Sequence, residues 1–312
     1  MSTLTERPLV VVCGATGAQG SSVVHYLLRD GGYRVRALTR NSDGEKAQTL
    51  KQQGVEVIQC DIGSKEQVTA AFDSAYAVFG LTNFWEHGEE AEVRQGKNLA
   101  DAAKTCGIRH FFWSSCPHVD GEAPRHWESK FEVDKYLHEL KVPTTTIFPS
   151  FYFENMWMFF PLKRTSDGSL ILDWFFPSEV RIPSFSVEDI GAWLIVALKD
   201  PTTWIGKQMK LCSEILTPRD YATGLSNGLE TKVALKEVSL AEFEALRPHV
   251  PIDVWLNMSE CYMAHITQAF WDNPNLMKEG VDSSRKMFPA VQSLEEFAKR
   301  YKDRLLEAAA PA

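Results

Sequence analysis

An α/β fold, with a doubly wound parallel sheet and a smaller, mostly helical lobe, is what this sequence predicts. Three observations carry that expectation: short apolar runs alternate with amphipathic segments, a glycine-rich turn follows the first run, and the rhythm changes after Ser150. The runs are Leu9 to Val12, Val35 to Thr39, Val55 to Gln59, Ala77 to Leu81, His110 to Ser114 and Thr144 to Phe148. Each is short and nearly uniformly apolar, as a strand covered on both faces is. Between them, Val23, Val24, Leu27 and Leu28 form one stripe of helical period, and Val93, Leu99, Ala102 and Ala103 help form another. Strands alternating with helices predict a parallel sheet with right-handed crossovers.

After Ser150 comes an aromatic segment, Phe151 to Phe160, then a polar loop from Thr165 to Ser169. Val187 to Leu198 reads as a helix, Gln208 to Cys212 as a strand, and Thr217 as the N-cap of a helix opened by Pro218. Segments 239–247, 253–272 and 293–307 also carry helical period. With too little strand for a second independent sheet, residues 156–312 predict a substrate-binding lobe beside a sheet domain over 1–155. Some later segments are expected to return to the first sheet.

The 312 residues are 44% hydrophobic and 24% charged, the composition of a soluble globular chain of one large or two smaller domains. Lys plus Arg total 33 against 41 Asp plus Glu, a net charge of −8, and no basic recognition element appears, so direct nucleic-acid binding is not expected. No apolar run approaches the roughly 20 residues of a membrane span, and no signal-peptide pattern precedes Leu9. Six cysteines (Cys13, Cys60, Cys106, Cys116, Cys212 and Cys261) stand singly, as in a reducing, cytoplasmic compartment. His110, His118 and His126 are eight residues apart rather than at helical ligand spacing, so no metal site is predicted.

The strongest motif is Gly14-Ala15-Thr16-Gly17-Ala18-Gln19-Gly20, between the first run and the first amphipathic segment. Strand, glycine turn and helix in that order let backbone N–H groups approach a pyrophosphate at a helix N-terminus, which makes this a Rossmann-type dinucleotide site. The second run ends in Leu38-Thr39-Arg40-Asn41, with no acid for a ribose 2′-OH. Arg40 can pair with a 2′-phosphate, supported by Thr39 and Asn41, so NADP(H) is the expected cofactor. The alternative for Arg40 is an exposed helix-flanking charge. Asp61 and Ile62, after the third run, suit the adenine edge; Asp61 equally suits an ordinary cap.

These stretches, with Thr82-Asn83-Phe84-Trp85-Glu86, Gln95-Gly96-Lys97, Lys130 and Phe151-Tyr152-Phe153-Glu154-Asn155, resemble the NmrA-like family of atypical short-chain dehydrogenases/reductases. The resemblance covers most of the chain and thins after about Lys207. It implies cofactor contacts from Thr82, Asn83, Lys130, Tyr152 and Asn155. It implies a function less sharply, since members range from NADP(H)-sensing regulators to reductases of fungal secondary metabolism.

In the tyrosine-dependent relatives, a Tyr and a Lys four residues later share one helical face, and a Ser from the preceding strand end binds the substrate oxygen. The corresponding stretch here is His126-Trp127-Glu128-Ser129-Lys130, so a histidine stands in the tyrosine's place. Candidate catalytic residues are therefore Lys130, Ser115 (with Ser114 beside it), His126, Glu122 and Glu154. Lys130 either donates a proton or holds the cofactor ribose; His126 is a catalyst or a helix-start residue; the serines bind an oxygen or satisfy strand-end backbone groups. Glu122 and Glu154 can orient Lys130 or act as a base, and Glu154 can equally fix its loop. The aromatic excess, nine Trp and 18 Phe, suggests a wall of Phe84, Trp85, Trp113, Trp174, Phe175 and Phe176 for a bulky substrate, with Met156 and Met158 adapting it, or else ordinary core. The expected function is an NADPH-dependent reductase of a bulky hydrophobic ketone, imine or iminium, or acid-assisted rearrangement at the same site, in secondary-metabolite biosynthesis. The alternative is a non-catalytic NADP(H) sensor.

Overall fold

The computed structural model of the protein describes residues 7–118, 121, 123–259 and 274–311. Glu122, Cys261 and the part of the predicted 253–272 helix beyond residue 259 lie outside the described residues. The chain divides into two compact units. The first holds the chain up to His118, then His126–Pro149 and Glu188–Met209; the second holds Ser150–Val187 and the chain from Lys210 on.

The first unit begins with β1 (Leu9–Val12), α1 (Ala18–Asp30), β2 (Arg34–Thr39), α2 (Glu45–Gln52), β3 (Glu56–Gln59) and α3 (Lys65–Phe72). It continues with β4 (Ala77–Gly80), α4 (Phe84–Thr105), β5 (His110–Ser114), α5 (Arg125–Glu139) and β6 (Thr144–Pro149). The sheet order is β3-β2-β1-β4-β5-β6, and Gln208–Leu211 completes a seventh strand at the β6 edge. Pairings from β3 through to β6 are parallel, so the Rossmann-type sheet read from the apolar runs is the one that forms. Every residue of β1, β4 and β5 is buried, which is why these runs are nearly all apolar rather than alternating. Of the predicted stripes, Val23, Val24 and Leu27 of α1 and Leu99, Ala102 and Ala103 of α4 are buried, while Leu28 and Val93 are partly buried.

The second unit opens with β7 (Phe151–Tyr152), α6 (Asn155–Met158), β8 (Lys163–Arg164), β9 (Leu170–Leu172) and β10 (Ile182–Phe185). The predicted helix at 187–198 is a 3-10 turn followed by α7 (Ile190–Lys199), and it belongs to the first unit, where Gly191 N–H donates to Ser22 Oγ of α1 at 3.0 Å. Next come α8 (Pro201–Trp204), β11 (Gln208–Leu211), β12 (Glu214–Leu216), α9 (Pro218–Leu229) and β13 (Val233–Leu235). The chain finishes with α10 (Leu240–Glu244), α11 (Ile252–Met258), α12 (Pro274–Met287), α13 (Leu294–Arg300), α14 (Lys302–Ala308) and β14 (Ala310–Pro311). Thr217 caps α9 as its sequence predicts, accepting from Asp220 N–H at 3.2 Å.

Two small sheets, β12-β10-β7 and β13-β9-β8-β14, run through this unit, where the sequence pattern predicts too little strand for a sheet. Their strands are two to four residues long, too short to display a period of two. The aromatic excess is largely explained here as core. Phe153, Trp174, Phe176, Tyr221 and Phe297 are all buried in one cluster with Met156.

His110 is a buried exception in β5. Its ring stacks on Phe112 at 4.0 Å, and Nε2 lies 2.7 Å from Thr145 Oγ1. Thr145 donates to Trp204 O, so its oxygen accepts from His110, which fixes the Nε2–H tautomer. Burial pushes the imidazole down from 6.5 to about 4. The unfolded chain therefore takes up the proton first, and stability is full above pH 6.5 and lost as the pH falls toward 4. Urea unfolding should register a loss of about 3 kcal/mol over that interval from this group. His110→Gln, which keeps a donor but does not titrate, should flatten that part of the profile.

Candidate functional site

In the first unit, β1 to β5 all end on one edge of the parallel sheet, and the strand order reverses between β1 and β4. That edge is where open α/β sheets leave a crevice for ligands. The turn between β1 and α1 enters it. Gly14 is left-handed (φ 58°), Gly17 N–H donates to Gly14 O at 2.9 Å, and a Cβ on Gly20 would lie 2.2 Å from that same oxygen. Only a hydrogen fits at Gly20. Gly17 caps α1 without a side chain, so Ala18, Gln19 and Gly20 open the helix with their amides toward the loop, an arrangement suited to a pyrophosphate.

Lys46 of α2 donates from Nζ to Thr16 O at 3.2 Å, adding a cation beside this loop. Nothing in the sequence singles it out, since α2 is short and mostly polar. Burial pushes the Cys13 thiol far up and the Cys60 thiol up to about 11, so neither offers a thiolate there.

Beyond β2, Thr39 and Asn41 shape the turn that presents Arg40. Asn41 N–H donates to Thr39 Oγ1 at 3.3 Å, and Asp43 N–H donates to Asn41 Oδ1 at 3.1 Å. The Arg40 guanidinium pairs with Glu86, on the first turn of α4. Asp61 accepts from Gly63 N–H at 2.8 Å and so stabilises its own turn, while the Ile62 carbonyl accepts from Asn98 at 3.1 Å.

The chemical centre of the edge is a buried network that β4, α4 and α5 bring together. Lys130 Nζ donates to Glu92 Oε1 at 2.8 Å, to Thr82 O at 3.0 Å and to Thr82 Oγ1 at 3.2 Å. Thr82 Oγ1 donates in turn to Glu92 Oε1 at 2.8 Å, and Ser129 Oγ donates to Glu92 Oε2. Glu92 has no exposed surface and the Lys130 side chain only 14%. The Lys130 carbonyl accepts from Trp113 Nε1 at 3.1 Å, tying the start of α5 to β5. Sequence reasoning missed Glu92 and Ser129. The signal was a carboxylate on the apolar stripe of α4, where Glu92, Gln95, Leu99 and Ala102 share the buried face.

The other candidates are held by contacts of their own. Ser114 donates to Gln19 Oε1 at 2.8 Å, linking the end of β5 to α1, and buried Ser115 donates to the Cys116 carbonyl at 3.4 Å. His126 is buried, its ring centroid 5.8 Å from Phe84 and 4.9 Å from Trp85. Asn83 is exposed at the start of α4. In the second unit, Tyr152 packs its ring edge on Phe185 at 5.4 Å and Asn155 begins α6. Glu154 is buried and accepts from Ser186 Oγ at 2.7 Å and Val187 N–H at 3.0 Å, which fixes its loop. Of the suggested aromatic wall, Trp113, Trp174 and Phe176 are core, whereas Trp85 is 63% exposed.

Among the described residues no cluster of His, Cys, Asp and Glu is placed to hold a metal, and no helix is long and apolar enough to cross a membrane.

A sequence model described as the NmrA-like family matches residues 6–298. An NmrA-like family domain-containing protein of Dictyostelium discoideum is 29% identical over 247 residues, 75% of this chain and 82% of that protein. The NmrA-like family domain-containing oxidoreductase malD of Malbranchea aurantiaca is 30% identical over 236 residues, 68% of this chain and 70% of that protein. Among solved structures, the negative transcriptional regulator NmrA in complex with NAD superposes with a TM-score of 0.82 at 24% identity, over 97% of this chain and 98% of that one. Its complex with NADP gives 0.81. These two matches are likenesses of fold.

Proposed function

The chain belongs to the NmrA-like family, and from that membership we propose that it is an NADPH-dependent oxidoreductase acting on a bulky hydrophobic ketone, imine or iminium in secondary-metabolite biosynthesis. One observation carries the proposal: a lysine held by a buried carboxylate stands at the same sheet edge as a loop shaped for a pyrophosphate.

The residues present fit the cofactor. The loop amides and the first turn of α1 would hold the pyrophosphate, Arg40 and Lys46 the 2′-phosphate, Asp61 and Ile62 the adenine edge, and Lys130 the nicotinamide ribose. When bound, the nicotinamide supplies the hydride. Lys130, already donating to Glu92 and Thr82, would serve as a fixed hydrogen-bond donor to the ribose. An iminium needs no proton, and an imine or ketone would draw one from water. Phe84 and Trp85, packed at a tilt around His126 near the end of β4, offer an apolar surface to a bulky acceptor.

The absence of the tyrosine favours a second reading, a non-catalytic NADP(H) sensor that exchanges partners on binding. Mixing the purified protein with NADPH and a panel of ketones, imines and iminium ions, while following reduced-nicotinamide absorbance, separates the two. The expected result is turnover fastest with an iminium acceptor. Tight NADPH binding without turnover of any acceptor would sink the enzyme and leave the sensor.

A further inference from the structure

We propose that Glu86 is a specificity-determining residue, an internal competitor that occupies Arg40 and must be displaced before a 2′-phosphate binds. It would thereby set how strongly the site prefers phosphorylated over unphosphorylated adenosine ligands. The proposal rests on the dinucleotide reading above.

Arg40 is the residue at the end of β2 whose fork of N–H donors suits a phosphate, and bidentate pairing needs more than one arm of that fork. In the structure Nη1 is taken by Glu86 Oε1, with the Arg40 side chain 58% and the Glu86 side chain 36% exposed. Glu86 therefore sits where a dianionic phosphate would approach, and its own charge repels such a ligand. Asp61 also acts on Arg40 electrostatically, so the guanidinium faces two acids rather than an empty field. Neither acid obstructs a ribose that carries only hydroxyl groups.

Local structure explains how Glu86 reaches this position. α4 is broken at Gly88 (φ 76°, ψ −178°), so the turn Phe84–His87 is set off from the long helix that follows and can point its carboxylate toward β2. Asn83 Nδ2, at 3.5 Å, approaches the other oxygen of the same carboxylate.

An exposed ion pair of this kind is worth about 1.4- to 5-fold in an equilibrium constant, and relief of repulsion adds a factor of similar size. Calorimetric titration of the full chain with 2′,5′-ADP and with 5′-AMP tests the proposal. Glu86→Gln should bind 2′,5′-ADP about three- to tenfold more tightly while 5′-AMP stays within about twofold. In an Arg40→Ala background only the relief of repulsion remains, so the same substitution should gain less than in the intact site, about 1.4- to 5-fold. Glu86→Ala repeats the comparison without an amide that could still engage Arg40. Equal changes for both ligands, or unchanged or weakened 2′,5′-ADP binding, would overturn the role of Glu86 and leave the dinucleotide site standing. Failure of the unsubstituted protein to bind either fragment would overturn the dinucleotide reading and this proposal with it.

Discussion

Replacing Lys130 with methionine should weaken NADPH binding about 10- to 100-fold and lower the unfolding free energy by about 3–5 kcal/mol. The two effects have different origins. Affinity would be lost because the charged donor proposed to hold the ribose disappears. Stability is lost because Glu92, with no exposed surface, keeps its hydrogen bonds from Thr82 and Ser129 but loses its counter-charge. The double variant Lys130→Met/Glu92→Gln tells them apart. With no charge left buried it should recover most of the stability, whereas NADPH affinity should stay low. Denaturant unfolding and fluorescence titration read the two quantities separately. Unchanged NADPH affinity and turnover in Lys130→Met would remove the lysine from both binding and mechanism.

Gly20→Ala should eliminate detectable binding of NADPH and NADH alike at concentrations that saturate the unsubstituted protein. The added Cβ would lie 2.2 Å from Gly14 O, 2.6 Å from Gly14 C and 2.8 Å from Ala15 Cα, all backbone atoms that no rotamer change can move. The loop must shift, and its amides leave the positions a pyrophosphate requires. Overpacking of this kind costs about 1–3 kcal/mol, so the variant should still melt cooperatively. The contrast with Arg40→Ala is informative, since that change should weaken only 2′-phosphorylated ligands. A Gly20→Ala protein that binds NADPH normally would show that the loop does not cradle the cofactor.

Much of the first unit was legible because its signals are local in the chain. The run His110 to Ser114 is β5 to the residue, and Ala77 to Leu81 is β4 with one residue to spare. Strands buried on both faces are mostly apolar along their length, with polar exceptions such as His110 that find a buried partner, and such strands are what an α/β sheet makes. The second unit was less legible: β7 pairs with β10 through two residues, Tyr152 and Phe151, opposite Phe185 and Ser184. Such short pairings depend on what the fold brings alongside, not on a pattern within the segment.

The candidate site divides in the same way. Gly14 to Gly20 and Arg40 could be found because each is marked by its place after a strand. Glu92 left only the trace of a carboxylate on an apolar helix stripe and Ser129 left none, because their role exists only once α4 and α5 lie side by side. Lys130 meets Thr82 from 48 residues away and Glu92 from 38. Glu86 stood in a stretch shared with the family, yet its link to Arg40, 46 residues earlier, is visible only in three dimensions.

By itself, then, the sequence determined the parallel sheet, the phosphate loop and the histidine in the tyrosine's place, since strand burial, backbone freedom at glycine and residue identity are properties of neighbouring positions. Tertiary structure decided that Lys130 is locked to a buried glutamate, that Arg40 already holds a carboxylate, and that most of the aromatic excess is core. Hydrogen bonds and ion pairs act over a few ångströms of space, and which side chains come within that reach is settled only when helices and strands distant in the chain have packed together.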